Sequence, residues 1–430
     1  MSNITKEASQ LADKLIGLRR DFHRHAESGF IEYRTASIVA ATLTELGYEV
    51  KIGSECQVAA ERMGLPSQEE LDLQYIRALE QGAISPYVEK MQGGMTAVVG
   101  ILHCGDGPVV GMRFDMDAVD MPETTKYRAA LEGFNSLNSF AMHSCGHDSH
   151  TAIGLGVAEL LMAHKDELKG TVKLIFQPAE EGVRGAKSIV SSGILDDVKY
   201  LLAGHVASGS PVGTIYPGRN GMLATYKLDA IFRGAPAHAG GQPQAGRNAL
   251  LAGASAVTSL LAIPRHSGGA TRINIGRFNS GTGRNVIPDE AHLALETRGA
   301  TSELNQFVYD YAIRILENTA LMHGCELEIK AMGGAKNAFS DEALMQIVGR
   351  VANELGCFKE VMTEAGGGGG SEDYTYMMER VQANGGLATF IGIGAMSSGG
   401  GHHTSEFDID ESCIDTSAAL FTAVALDIMK

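Results

Sequence analysis

Apolar residues near the start of the chain recur at alternating steps of four and three residues. The positions are Ile4, Ala8, Leu11, Leu15, Leu18 and Phe22. This spacing predicts an opening helix with one buried face. A second helix is predicted over 35–46, where Gly47 ends it. Residues 53–95 are polar and helix-leaning and carry no motif, so they are predicted to be an insertion before the first clear strand, 96–102.

Three later apolar runs are typical of buried strands and lead into side chains that bind metals or transfer protons. They are 108–114 before Asp115, 171–177 before Glu180 and Glu181, and 200–204 before His205. Open α/β sheets place their sites at the carboxyl ends of the strands. We therefore expect one crevice to hold these side chains.

The pattern changes from about residue 216 to residue 332. It predicts strand 221–232, helix 246–263, strand 271–280, strand 290–298, helix 302–322 and strand 324–332. The order β-α-β-β-α-β is that of a split βαβ domain. We predict this α+β domain over 216–332, inserted in an α/β domain of 1–215 and 333–430 with a mixed sheet flanked by helices. A helix near 341–355, a strand at 387–394 and a closing helix from Glu411 belong to the first domain.

Length and charge narrow the classes of protein. A chain of 430 residues is long for one core, which favours two domains. The formal charge is 35 − 51 = −16, and it disfavours binding to nucleic acid or to anionic membranes. Neither a signal segment nor a membrane-spanning run is evident, and six scattered cysteines are typical of reduced thiols. We expect a cytoplasmic protein.

The stretch from His143 to His150 concentrates three imidazoles, a thiol and a carboxylate in eight residues. Metal binding is the leading interpretation, because few segments are so rich in ligand side chains. A helix entrance with one or two hydrogen-bonded histidines is the alternative. A nucleophilic pair of Cys145 with a histidine is a further alternative, but it leaves His205, Glu181 and His403 without a role.

A convergence of Cys145, His147, Glu181, His205 and His403 would suit a pair of borderline ions such as Zn²⁺ or Mn²⁺. Two such ions can acidify a water and polarise a carbonyl, and such a site hydrolyses amides. Glu180, next to one candidate ligand, is then the candidate general base. The alternative for the two glutamates is a solvated acidic turn.

The glycine run 366–370 precedes Ser371 without the lysine and serine or threonine of a phosphate-binding loop. We predict a loop that leads into a helix capped by Ser371.

Eight segments together resemble the M20 metallopeptidases, and among them the amidohydrolases that cleave N-acyl amino acids. The segments are 19–27, 113–117, 142–148, 177–181, 237–239, 285–288, 371–373, and His403 with Phe407 and Asp408. They follow the family's order along nearly the whole chain.

The resemblance implies a di-metal exopeptidase-like catalytic domain with a lid and dimerisation domain. It implies Cys145 as the bridging ligand, four terminal ligands, Glu180 as the base and Asp115 as the residue that orients a ligand. In the lid, it implies that His238 stabilises an oxyanion in a neighbouring subunit's site and that Asn285 and Arg298 contact substrate. For Arg298, an ion pair with Glu296 or Asp289 is the alternative.

The resemblance also implies the substrate and the partners. The 53–95 insertion and the segments 285–288 and 296–300 point to the members that release glutamate from p-aminobenzoyl-glutamate or a related aromatic amide. A general N-acyl-amino-acid deacylase, and a catalytically silent pairing subunit, are the two alternatives. The expected assembly is a homodimer or a heterodimer with a homologous B subunit.

Overall fold

The computed structural model describes residues 2–207, 209–363, 366–367 and 370–430. The chain divides into two compact units. The first comprises Met1–Asn220, Ala338–Gly368 and Asp373–Lys430, and the second Gly221–Asn337 and Gly369–Glu372. The boundaries predicted from the sequence lie at 216 and 332. Every helix among the described residues is too short or too polar to cross a bilayer.

The first unit begins with helices that alternate with strands. Its N-terminal elements are α1 (Ser2–Arg24), α2 (Tyr33–Glu45), β1 (Glu49–Ile52), α3 (Gln68–Glu80), β2 (Val98–His103), β3 (Val109–Asp115), α4 (Arg128–Leu131), α5 (His147–Ala163), β4 (Thr171–Gln177), α6 (Ala186–Val190), β5 (Tyr200–Ala207), β6 (Thr214–Tyr216) and β7 (Arg219–Asn220). The predicted opening helix is α1, and Ile4, Ala8, Leu15 and Phe22 of its apolar stripe are buried.

The second unit has the predicted order of elements. They are β8 (Ala224–Arg233), α7 (Ala249–Leu261), β9 (Thr271–Ser280), β10 (Glu290–Gly299), α8 (Ser302–His323) and β11 (Glu326–Ala335). The strands form one antiparallel sheet in the order β11-β8-β10-β9. Alternate residues of β10, such as Leu293 and Leu295, are buried with α7 and α8. Burial of every second residue is the period-two pattern of a strand with one covered face.

The chain then returns to the first unit. Its C-terminal elements are α9 (Glu342–Leu355), β12 (Glu360–Val361), β13 (Gly366–Gly367), α10 (Tyr374–Ala383), β14 (Leu387–Gly394) and α11 (Cys413–Ile428). The main sheet has the order β1-β2-β4-β3-β5-β14-β6-β12. Its central strands β4, β3, β5 and β14 are parallel, whereas β1 and β2 are antiparallel to their neighbours. The mixed α/β fold predicted from the sequence is confirmed.

Helix α5 is buried over most of its length, because it packs on β3 and β4 and against α1 and α11. It begins at His147. Gly146 precedes it in the left-handed region, with φ 89°. A side chain at Gly146 would overlap Val206 of β5. Both the positive φ and this overlap therefore require glycine at this position.

The prediction for Ser371 is wrong. Helix α10 begins at Tyr374 after Asp373, and the Ser371 hydroxyl instead donates to the carbonyl of Leu223 at 2.7 Å. Of the preceding glycine run, residues 368 and 369 lie outside the described residues.

Candidate metal centre

The candidate ligands come from segments at one edge of the main sheet. Strand β4 leads into Glu180 and Glu181, β5 carries His205, and the segment after β14 carries His403. Because β4, β5 and β14 run in the same direction, their carboxyl ends meet at this edge. The start of α5 adds Cys145 and His147.

Among the described residues, five groups of three potential ligands have atoms within 4.8 Å of one another, and three of these groups contain only predicted ligands and Glu180. They are Cys145, His147 and His205; Cys145, Glu181 and His403; and His147, Glu180 and Glu181. The Cys145 Sγ lies 3.4 Å from His205 Nε2, and His403 Nε2 lies 3.1 Å from Glu181 Oε1. The five residues predicted as ligands are thus brought together, with Cys145 shared by two groups.

Hydrogen bonds turn two of these imidazoles towards the cluster. His147 Nδ1 donates to the Asp117 carbonyl at 2.9 Å, and His205 Nδ1 donates to the Val206 carbonyl at 2.7 Å. In each ring Nε2 is therefore the atom that would bind a metal. Although burial opposes it, Asp115 and Asp117 raise the pKa of His147 well above its usual range, so a metal ion at Nε2 would replace a proton. His147 Nε2 is buried with no hydrogen-bond partner among the described residues. The thiol, imidazole and carboxylate set therefore fits divalent transition-metal ions.

The electrostatics of the cluster also indicate that it binds cations. Burial, with the neighbouring His150 and His402, holds the pKa of His205 well below its usual range, so His205 is a neutral imidazole at pH 7. Burial raises the pKa of the Cys145 thiol. The thiolate needed as a ligand therefore requires a cation, and a coordinated thiol is deprotonated outright. Contacts with Cys145 and Glu181 raise the pKa of His403 to about 10, so the surroundings of His403 stabilise a positive charge.

The turn that carries Glu180 and Glu181 is held by carboxylates that accept its backbone amides. Asp117 Oδ1 accepts from Glu180 N at 3.0 Å, and Asp117 Oδ2 accepts from Glu181 N at 2.8 Å. Glu32 Oε1 accepts from Ala179 N at 2.8 Å. Ala179 and Val183 have positive φ angles of 53° and 61°, which are unfavourable for residues with a Cβ. The turn therefore depends on these contacts.

Glu180 is buried beside the ligand groups, with Oε2 3.9 Å from His147 Nε2. It belongs to the group with His147 and Glu181 and to neither group that contains Cys145. This is a suitable place for a base that receives a proton next to a metal-bound reactant.

Asp115, which is predicted to orient a ligand, contacts Arg113 and His150 and lies beside the candidate ligand His147. Its carboxylate binds Arg113 Nη1 and His150 Nδ1, each at 2.5 Å, and lies 3.8 Å from His147 Nε2. His150 Nε2 accepts from Val206 N at 3.0 Å, so its Nδ1 carries the proton given to Asp115. Although burial opposes it, Arg113 and the histidines hold the pKa of Asp115 well below its usual range. The residue in direct contact with His147 Nδ1 is Asp117.

Other histidines of the motif segments have structural partners or lie apart. His23 lies in the last turn of α1, where its Nδ1 is 2.8 Å from Asp148 and its Nε2 is 3.0 Å from Glu123. His143 is buried, and burial lowers its pKa to about 3, so its ring is neutral. His143 belongs to none of the described ligand groups.

The second unit brings together two of its three predicted site residues. His238 and Asn285 lie on adjoining segments, because Ala239 N donates to the Asn285 carbonyl at 2.9 Å. His238 is exposed, and its Nδ1 accepts from Gly240 N and Gly241 N at 3.1 and 2.9 Å. Its Nε2 therefore carries the proton and can donate to an anion.

Arg298 is paired with Glu296 in the structure. Its Nε and Nη2 donate to the two carboxylate oxygens of Glu296, each at 3.0 Å. Both residues lie on the sheet face opposite α7 and α8. This pairing favours the alternative interpretation of Arg298 as one half of an ion pair.

The model of peptidase family M20/M25/M40 matches residues 111–427. The chain belongs to this family, and with it to the metal-dependent hydrolases of amide bonds. The family resemblance drawn from the motifs is confirmed.

Two curated relatives are similar over nearly their whole length. Indole-3-acetyl-aspartic acid hydrolase of Enterobacter agglomerans is 43% identical over 97% of this chain and 96% of its own. The A subunit of the p-aminobenzoyl-glutamate hydrolase of Escherichia coli K12 is 42% identical over 99% of this chain and 98% of its own. A crystal structure of an aminobenzoyl-glutamate utilization protein from Klebsiella pneumoniae has a TM-score of 0.85 and 39% sequence identity. The match covers 98% of this chain and 97% of that protein's chain.

Proposed function

We propose that this protein uses two divalent ions, Mn²⁺ or Zn²⁺, to hydrolyse the amide of an aromatic acyl amino acid, with p-aminobenzoyl-glutamate or a related aromatic acyl-glutamate as substrate. The observation that carries this proposal is the pair of ligand groups that share Cys145, with Glu180 buried beside them. Mixed thiolate, imidazole and carboxylate ligands suit such ions.

In this proposal, Cys145, His147, Glu181, His205 and His403 hold the ions. The ions supply the acidification of a water and the polarisation of the substrate carbonyl. Glu180 accepts the proton of the attacking water and passes it to the leaving nitrogen. Asp117 fixes His147 through its carbonyl and the Glu180 turn through its carboxylate. Asp115 acts one step further out, through His150 and Arg113.

The substrate class rests on what the two curated relatives have in common. The names of both describe an aromatic acyl group joined to an acidic amino acid. The test is kcat/KM of the metal-loaded protein on p-aminobenzoyl-glutamate, indole-3-acetyl-aspartate and N-acetyl-glutamate. We expect the two aromatic substrates to be cleaved best. Equal rates on all three would favour a general deacylase, and no hydrolysis at all would favour a silent pairing subunit.

We also propose an assembly through the second unit, as a homodimer or with a homologous B subunit. Strand β9 lies at the edge of its sheet, and an unpaired edge is commonly covered by another chain. Phe278 on β9 and Leu250, Leu251 and Leu261 on α7 are exposed. Mixing His238→Ala and Glu180→Gln chains should restore activity if His238 serves a neighbouring site. Full activity of a strict monomer would contradict this.

The six cysteines are free thiols, as expected of a protein in a reducing compartment. We propose that the protein acts in the cytoplasm. Fractionation of the native host, with activity in the soluble cytoplasmic fraction, tests this.

A further inference from the structure

The insertion between β1 and β2 packs on the segment that follows the Glu180 turn. Val58 N donates to the Ser188 carbonyl at 2.9 Å, and Gln57 Nε2 donates to the Ser188 hydroxyl at 3.2 Å. Lys187 and Glu61 form an ion pair of 2.8 Å. The beginning of the insertion is thus attached directly beside the turn.

One side chain connects the insertion to the turn itself. Arg184 Nε donates to the carbonyl of Glu181 at 2.8 Å, and Arg184 Nη1 donates to the carbonyl of Gly64 at 3.2 Å. Glu181 is a candidate ligand, whereas Gly64 belongs to the insertion. A single guanidinium therefore bridges the two backbones, and its planar set of donors is suited to that geometry.

The guanidinium of Arg184 occupies a fitted slot. It lies over the Phe30 ring at 5.7 Å, and Arg62 of the insertion lies over the same ring at 5.8 Å. A side chain at Gly29 would overlap the Arg184 guanidinium and come within 2.8 Å of the Ala179 Cβ. Cation–π contacts and this close approach fix the orientation of Arg184.

The turn needs support at both ends, because Ala179 and Val183 adopt left-handed backbone angles. Glu32 and Asp117 hold the amides of residues 179, 180 and 181 at its start. Towards its end, Arg184 holds the carbonyl of Glu181. Arg184 also belongs to the same chain segment, since its amide donates to the Ala179 carbonyl at 3.1 Å.

We propose that Arg184 is a positioning residue through which the 53–95 insertion fixes the carboxylates of Glu180 and Glu181. The kinetic part of this inference rests on the proposed function. The structural part, that Arg184 and the insertion hold the turn in place, does not.

The structural part is tested by hydrogen exchange of the full-length chain, measured by mass spectrometry on peptides that span 178–188. We expect Arg184→Ala to accelerate exchange there at least about ten-fold and to leave the strand 171–177 unchanged. Arg62→Ala is the matched control, because Arg62 stacks on the same Phe30 ring but does not contact the turn. Equal exchange in the two variants would overturn the proposal.

Arg184→Lys distinguishes the effect of the two hydrogen bonds of Arg184 from the effect of its positive charge. Lysine keeps the positive charge but cannot donate to two carbonyls from a rigid fork, so we expect it to resemble Arg184→Ala. Exchange at the wild-type rate in Arg184→Lys would overturn the role of the bridge. The lysine variant also provides the test if Arg184→Ala does not fold.

The kinetic part is tested with Mn²⁺ titrations and steady-state hydrolysis of p-aminobenzoyl-glutamate. We expect Arg184→Ala to lower Mn²⁺ affinity or kcat by about 10- to 100-fold with KM nearly unchanged, whereas Arg62→Ala stays near wild type. Unchanged kcat and Mn²⁺ affinity would overturn the inference. Failure of the wild-type protein to hydrolyse the substrate would instead overturn the proposed function, and the exchange result would stand.

Discussion

The carbonyl of Asp117 accepts the Nδ1 hydrogen of His147 at 2.9 Å, so that one main-chain atom turns a candidate ligand towards the metal centre. The carboxylate of Asp117 meanwhile accepts the amides of Glu180 and Glu181. One residue thus aligns an imidazole with two carboxylates that come from different elements. Contacts of this kind, one step outside the ligands, set ligand orientation and metal affinity.

Asp117→Asn should disrupt this alignment. The amide group offers one acceptor oxygen in place of two, so one backbone N–H would face the side-chain NH₂. We expect activity or metal affinity to fall by about 10- to 100-fold. Asp120→Asn, at an exposed position in the same segment, is the control. If both variants lose equally little, Asp117 does not have this role.

The two glutamates of the turn should fail differently. Glu180→Gln keeps size and removes the basic carboxylate, so we expect a rate loss of about 10²–10⁴-fold with both metals retained. Glu181→Gln should lower metal content, because a ligand is lost. Metal analysis beside kcat separates the two effects. Loss of metal in Glu180→Gln with retention in Glu181→Gln would reverse the assignment.

Acid should weaken the fold through Glu411. This buried carboxylate accepts hydrogen bonds from Arg19, Arg20 and Arg128. Burial opposes ionisation, but these arginines lower the pKa of Glu411 to about 2. The unfolded chain therefore binds the proton first, and the contribution of Glu411 to stability is present above about pH 5 and lost as the pH falls towards 2.

Glu411→Gln should unfold at a lower temperature at pH 7 and lose less stability between pH 5 and pH 2 than the wild type. Thermal unfolding across this pH range measures both effects. Glu406→Gln, at an exposed position, is the control. A wild-type pH dependence in the Glu411 variant would refute the assignment.

Arg298 should behave as the partner of Glu296 rather than as a substrate contact. Lysine cannot form the two parallel hydrogen bonds of Arg298. Arg298→Lys should therefore reduce kcat/KM equally on p-aminobenzoyl-glutamate and on its α-amide, and Glu296→Gln should resemble it. A larger loss on the free α-carboxylate would show that Arg298 binds the substrate after all.

Periodicity and strand ends predicted much of this molecule from sequence alone. The β-α-β-β-α-β order followed from the change of pattern over residues 216–332. The convergence of Asp115, Glu181 and His205 followed from the rule that parallel strands end at one edge. These are local signals or properties of the fold class.

The supporting contacts could not be predicted in the same way. Glu32 binds the amide of Ala179 across 147 positions of sequence, and Arg184 binds Gly64 across 120. No periodicity links such distant residues. Asp117 follows the same strand as Asp115, so the rule on strand ends places it near the site, but its contacts with the Glu180 turn required the structure. Pairing of Arg298 with Glu296 was foreseeable from their spacing, but choosing it over substrate binding required the structure.

The most direct test of the central claim is a titration of metal-free protein with Mn²⁺ or Zn²⁺, with bound metal and hydrolysis of p-aminobenzoyl-glutamate followed in the same samples. The two ligand groups that share Cys145 predict two ions per chain and activity that appears only as they bind. Cys145→Ala should lose both metal and activity. Full hydrolysis by protein shown to contain no metal would contradict the account.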